Sequence, residues 1–85
     1  MPYRIEIAPA SERQIRKLEA TVRRQVLKKI EALGSNPRPV GVEKLAVTGL
    51  YRVRVGDYRI IYDVEDKVSR VLVLKVGDRK EVYKR

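Results

Sequence analysis

The chain contains no cysteine and no histidine. The first absence excludes disulfide staples, zinc knuckles and thiol chemistry. The second removes the commonest general base and, with no clustered carboxylates, the usual transition-metal ligands, so neither metal nor cofactor is expected. Chemistry is left to Arg, Lys, Tyr, Asp and Glu. Long apolar runs are missing too: none approaches the ~20 residues of a membrane span, and no membrane partner is expected. No signal-peptide pattern opens the chain, because Met1-Pro2-Tyr3-Arg4-Ile5-Glu6 alternates charge and oil from the start. Repeats and low-complexity tracts are absent. The 85 residues are read as one domain, 1–85, with a small core.

Acid is scarce. Eleven Asp and Glu face twenty Lys and Arg, a net charge of +9. Residues 1–49 hold ten basic and five acidic side chains, residues 50–85 ten and six, so the excess is spread over the chain rather than gathered in a tail. A net charge of about 2–8 is ordinary for a small soluble domain. Nine lies just beyond it and favours a polyanionic partner such as RNA, DNA, the ribosome or an acidic protein.

Hydrophobic periodicity sets the elements. Tyr3–Ala8 alternates and reads as a strand that Pro9 ends. Ser11-Glu12-Arg13-Gln14 fits a capping box, which predicts a short helix from Ser11 to Glu19 burying Ile15 and Leu18. Val22, Val26, Ile30 and Leu33 predict a second helix over Thr21–Leu33, with Leu27 widening its apolar stripe and Gly34 as the C′ residue. Residues 35–49 are irregular, with Leu45 and Val47 as anchors for the return to the sheet. Leu50–Val55 and Tyr58–Val64 alternate around a Gly56-Asp57 hairpin turn. Val68–Val76, oily on both faces, is a central strand that Gly77-Asp78 breaks, and Lys80–Tyr83 follows as a tail or short strand. The fold class is α+β, in the order β-α-α-β-β-β: a curved, mostly antiparallel sheet with an α-helical hairpin packed on one face.

A two-residue turn at Gly56-Asp57 pairs Val55 with Tyr58, Arg54 with Arg59, Val53 with Ile60 and Arg52 with Ile61. Val53, Val55, Tyr58, Ile60 and Tyr62 then face the helices, while Arg52, Arg54, Arg59 and Ile61 face the other way. Like charges directly opposite in a sheet destabilise it by a few tenths of a kcal/mol. A solvated strand face accounts for a lone surface Arg. Three guanidinium forks with no acid among them suit phosphate better. Arg79 and Tyr83 follow the last strand, which pairs with the Arg59 strand, and would add a cation and a stacking ring. Tyr51, Tyr58 and Tyr62 lie on the core-facing phase and read as packing residues.

Several segments resemble the RelE/ParE toxin superfamily. They are the opening strand with its charged helix pair, Glu43-Lys44-Leu45, the hairpin Leu50-Tyr51-Arg52-Val53-Arg54-Val55-Gly56-Asp57-Tyr58-Arg59-Ile60-Ile61-Tyr62 and the ending Val76-Gly77-Asp78-Arg79-Lys80-Glu81-Val82-Tyr83. The RelE branch fits best. The resemblance implies the toxin of a type II toxin–antitoxin pair, a metal-independent endoribonuclease that cuts mRNA in the ribosomal A site through attack of the 2′-hydroxyl. By position it implies Arg52 and Arg54 near the 2′-hydroxyl, Arg59 on the phosphate, Arg79 near the leaving group and Tyr83 against the base. The best-studied branch carries Lys where this chain has Arg52 and Arg54. Arg stays protonated above pH ~12 and is a poor general base, so the expectation is that these residues act electrostatically, or that water or a ribosomal group takes the proton. Implied partners are the ribosome with its mRNA, an acidic RelB-like antitoxin, and promoter DNA only through the antitoxin complex; the implied location is cytoplasmic. The alternatives are a ParE-like gyrase inhibitor of the same fold, a non-catalytic RNA- or ribosome-binding module, and an inactivated toxin kept for autoregulation.

Overall fold

The computed structural model describes residues 2–78. The elements run β1 (Arg4–Ile7), α1 (Pro9–Arg16), α2 (Ala20–Ser35), β2 (Glu43–Lys44), β3 (Tyr51–Val55), β4 (Tyr58–Glu65) and β5 (Arg70–Asp78), with a single 3₁₀ turn at Asp66–Val68. They build one five-stranded sheet in the order β1-β5-β4-β3-β2. Pairing is antiparallel except where β1 lies parallel to β5. The helices share a face: α1 covers β5, and α2 crosses β1, β5 and β3.

The core between helices and sheet follows the periodicity. From α2 come Val26, Ile30 and Leu33, from α1 Ile15, and from the sheet Tyr51, Val53, Ile60, Tyr62, Val71, Val73 and Val76, all buried. Each such aliphatic side chain stabilises the fold by about 1.5–3 kcal/mol relative to exposure. Tyr51 and Tyr62, directly paired, stack at 5.7 Å between ring centroids. The Tyr62 hydroxyl donates to the Pro37 carbonyl at 2.6 Å, and Arg38 Nε donates to the Tyr51 hydroxyl at 2.9 Å. Arg38 also reaches Asp66, which accepts from Tyr3 as well. These bonds tie the loop after α2 down onto the sheet.

Several expectations need correction. The capping box at Ser11 does not form: α1 begins at Pro9, whose missing N–H suits the first helical position, and Ser11 is buried inside the helix. The cap of α2 is Glu19, whose side chain accepts from the Val22 N–H. Gly34 lies within α2 rather than after it. Its carbonyl accepts from the Tyr3 N–H at 2.7 Å, and an added Cβ would come within 3.2 Å of the Tyr3 carbonyl oxygen. Close approach of β1, not termination, is what a glycine serves there. Leu27 and Val47 are exposed, so neither widens the stripe nor anchors the sheet. Gly77-Asp78 does not break β5, which runs through both. The strand β2 lies in what reads as a loop. Lys80–Tyr83 falls outside the described residues.

Candidate functional site

The β3–β4 hairpin has the expected register, with Arg54 opposite Arg59 and Arg52 opposite Ile61. Gly56 sits at φ +59° while Asp57 keeps negative φ, the pattern of a type II′ turn. That turn matches the twist of the strands and locks the side-chain alternation. Arg52, Arg54 and Arg59 therefore project from the sheet face away from the helices, and together they line one concavity of about 230 Å³.

Their environments differ. Arg54 is exposed, Arg52 is half-buried and Arg59 is only 6% exposed. Arg59 stands between two interior strands, opposite Arg54 on one side and Gly77 on the other. Gly77 brings no side chain of its own to lie over the guanidinium. Low dielectric around a buried guanidinium strengthens its field on an arriving anion.

The concavity also contains a residue that sequence reasoning missed. Glu43, on β2, lines it with Gly41 and is directly opposite Arg52 in the register. Arg52 Nε donates to Glu43 Oε1 at 2.9 Å, and Arg52 Nη2 donates to the same oxygen. Oε2 accepts no hydrogen bond from the described residues. The hydrogen bond and charge of Arg52 hold the Glu43 carboxyl below its usual range, Arg59 and Arg54 add to the effect, and partial desolvation opposes it. Glu43 is therefore an anion at neutral pH. The signal was present in Glu43-Lys44-Leu45, but only the pairing of β2 with β3 puts that carboxylate among the arginines.

Glu6, Glu65 and Asp66 are engaged away from the hairpin turn, where Arg70 binds Glu65 and Glu6 and Arg38 binds Asp66. Among the described residues no three His, Cys, Asp or Glu side chains converge as a metal cluster would require. No helix there is long and apolar enough to cross a membrane. Arg79 and Tyr83, the remaining expected site residues, lie outside the described residues. The structure thus brings together Arg52, Arg54 and Arg59 and adds Glu43. This set can grip a phosphate with guanidinium groups while a carboxylate stands beside it to accept a proton.

Known proteins share this sequence and fold. A family model described as the ParE toxin of a type II toxin–antitoxin system, parDE, matches residues 5–83. The mRNA interferase toxin RelE of Escherichia coli is 31% identical over 98% of this chain and 92% of its own length. Toxin RelG of Mycobacterium tuberculosis is 28% identical over the whole of both chains. A crystal structure of the archaeal RelE–RelB complex from Pyrococcus horikoshii superposes with a TM-score of 0.83 at 35% identity, covering 93% of this chain and 97% of that one. A match over nearly the full length and a shared architecture agree: the chain belongs to the RelE/ParE family, as a RelE-type toxin of a type II toxin–antitoxin system.

Proposed function

We propose that this toxin stops translation by cutting mRNA in the ribosomal A site, acting as a metal-independent endoribonuclease. One observation carries the reading: three arginines from a single hairpin and one carboxylate line the same concavity. In the reaction the ribose 2′-oxygen attacks the adjacent phosphorus and the bond from phosphorus to the 5′-oxygen breaks. The products are a 2′,3′-cyclic phosphate and a 5′-hydroxyl. Charge builds on the non-bridging oxygens in the transition state, where Arg59 and Arg54 stabilise it; removing one such preorganised donor costs about 10²–10³ in rate.

The proton of the 2′-hydroxyl needs an acceptor, which Arg cannot be. Glu43 fills that role through Oε2, while Arg52 holds Oε1. An incoming phosphate competes for the Arg52 fork, and its negative charge raises the proton affinity of the carboxylate beside it. By family resemblance Arg79 donates to the departing 5′-oxygen, which takes its proton from solvent, and Tyr83 stacks on the displaced base. Alignment of the message by the ribosome supplies the remaining orientation. The net charge of +9 calls for an acidic antitoxin of the RelB kind as neutraliser, with promoter DNA contacted through that complex.

Mapping mRNA 5′ ends after controlled expression tests the reading. Cuts phased with codons in cells making wild type, and absent with Arg59→Ala, are expected. Intact messages together with loss of DNA supercoiling would instead favour the gyrase-inhibitor reading.

A further inference from the structure

The basic surface continues beyond Arg54. Arg54 also lines a second depression, of about 320 Å³, between α2 and β3. Its other lining residues are Gln25, Lys28, Lys29 and Ala32 of α2 and Val55 of β3. The four helix residues fall at i, i+3, i+4 and i+7, a single stripe next to the buried stripe of Val26, Ile30 and Leu33. On the sheet side β2 pairs only with Tyr51 and Arg52, so among the described residues no strand covers that edge of β3 from Val53 to Val55. The groove therefore opens at the uncovered edge of β3, on the helix side of the sheet, and shares Arg54 with the arginine concavity. Its floor is apolar, from Ala32, Val55 and the lysine stems, and its rim is cationic, from Lys28, Lys29 and Arg54. No carboxylate lines it.

We propose that this groove is a subsite for the nucleotide next to the scissile linkage, in the same single-stranded RNA. The inference rests on the endoribonuclease reading and deepens it. Arg54 is common to both depressions, so a strand seated at the arginines rounds the uncovered edge of β3 at this residue to reach the groove. There Lys28 and Lys29 neutralise the neighbouring phosphate, the base lies on the apolar floor, and the Gln25 amide offers a donor and an acceptor to a base edge. An apolar floor with a cationic rim and no acid matches the amphipathic chemistry of a nucleotide. An acidic polypeptide strand added to the open edge of β3 is the competing occupant. Continuity with the concavity favours RNA.

The test compares wild type, the double variant Lys28→Ala/Lys29→Ala, and Lys28→Arg/Lys29→Arg. Binding of a short 2′-O-methyl oligoribonucleotide, which cannot be cut, is measured over a range of salt. The double alanine variant is expected to bind about tenfold more weakly. Its slope of log affinity against log salt should fall by ~0.7 for each phosphate that the lysines no longer neutralise, and the arginine variant should restore both. Removing the one nucleotide beyond the scissile linkage should erase the difference between wild type and double variant. Equal affinity and equal slope for both proteins would overturn the subsite. So would a defect of the double variant confined to binding of an acidic antitoxin. Cutting of ribosome-bound mRNA is followed in parallel. If wild type cuts and the oligonucleotide data show no difference, only the subsite fails; if wild type leaves mRNA whole, the nuclease reading itself fails.

Discussion

Arg52 commits both its Nε and Nη2 donors to one oxygen of Glu43, its direct partner across the β2–β3 register. Among the described residues the pair sets one carboxylate in a concavity otherwise lined by arginines and Gly41. Both Arg52 bonds go to Oε1, and Oε2 takes none from the described residues.

Replacement of that carboxylate by its amide follows directly. Glu43→Gln keeps the shape and removes the proton acceptor, so single-turnover cutting on programmed ribosomes should slow by about 10²–10⁴. Glu43 is exposed, and circular dichroism should show an unchanged fold. In wild type the rate should fall with acid as the carboxylate is protonated. In free protein that limb lies below the usual carboxylate range, because Arg52 first, then Arg59 and Arg54, favour the ionised form. The Gln variant should lack the limb. A variant as fast as wild type, or faster, would make Glu43 merely a counterion of Arg52.

The turn that sets the arginine register carries its own prediction. Gly56 sits at φ +59° with open space around it, so a side chain there meets conformational strain and no clash. Gly56→Ala should cost about 1–2 kcal/mol, and Gly56→Asn should recover little of it, because the first central position of a type II′ turn suits glycine and not the left-handed helical conformation that Asn tolerates. Urea denaturation of the three proteins checks this.

Tyr62 gives a prediction at alkaline pH. Its buried hydroxyl donates to the Pro37 carbonyl, and burial first, then Tyr51, pushes its pKa up to about 12. Tyr62→Phe leaves that carbonyl without its donor and should cost about 1–3 kcal/mol at neutral pH. A raised folded-state pKa means the stabilisation is whole below the unfolded value of ~10 and is lost as pH rises through the folded one. The difference in Tm between wild type and variant should therefore shrink as pH climbs from 10 towards 12.

Local patterning made most of the fold legible. Alternation around Gly56-Asp57 specified the hairpin register pair by pair, because a two-residue turn leaves no freedom of slip and one face must be oily. The helices were legible as apolar stripes, though not at their ends, where Pro9 and Glu19 served as starts and Ser11 did not. Pairings distant in sequence were illegible. Nothing local marks β2 as a strand, since Glu43 and Lys44 are both exposed and its pairing depends on β3 already being in place. For the same reason three arginines of the site could be read from one hairpin, whereas Glu43, nine residues before Arg52, could not. The role of Gly34 was hidden too, because the need for glycine comes from β1, far away in the chain.

The chemistry of the cut ends on ribosome-bound mRNA is the decisive readout. Wild type should leave a 2′,3′-cyclic phosphate upstream and a 5′-hydroxyl downstream, and Arg59→Ala should lower the rate by at least about 10². A 5′-phosphate at the cut, or translation arrested by wild type with every message intact, would contradict cleavage by 2′-hydroxyl attack.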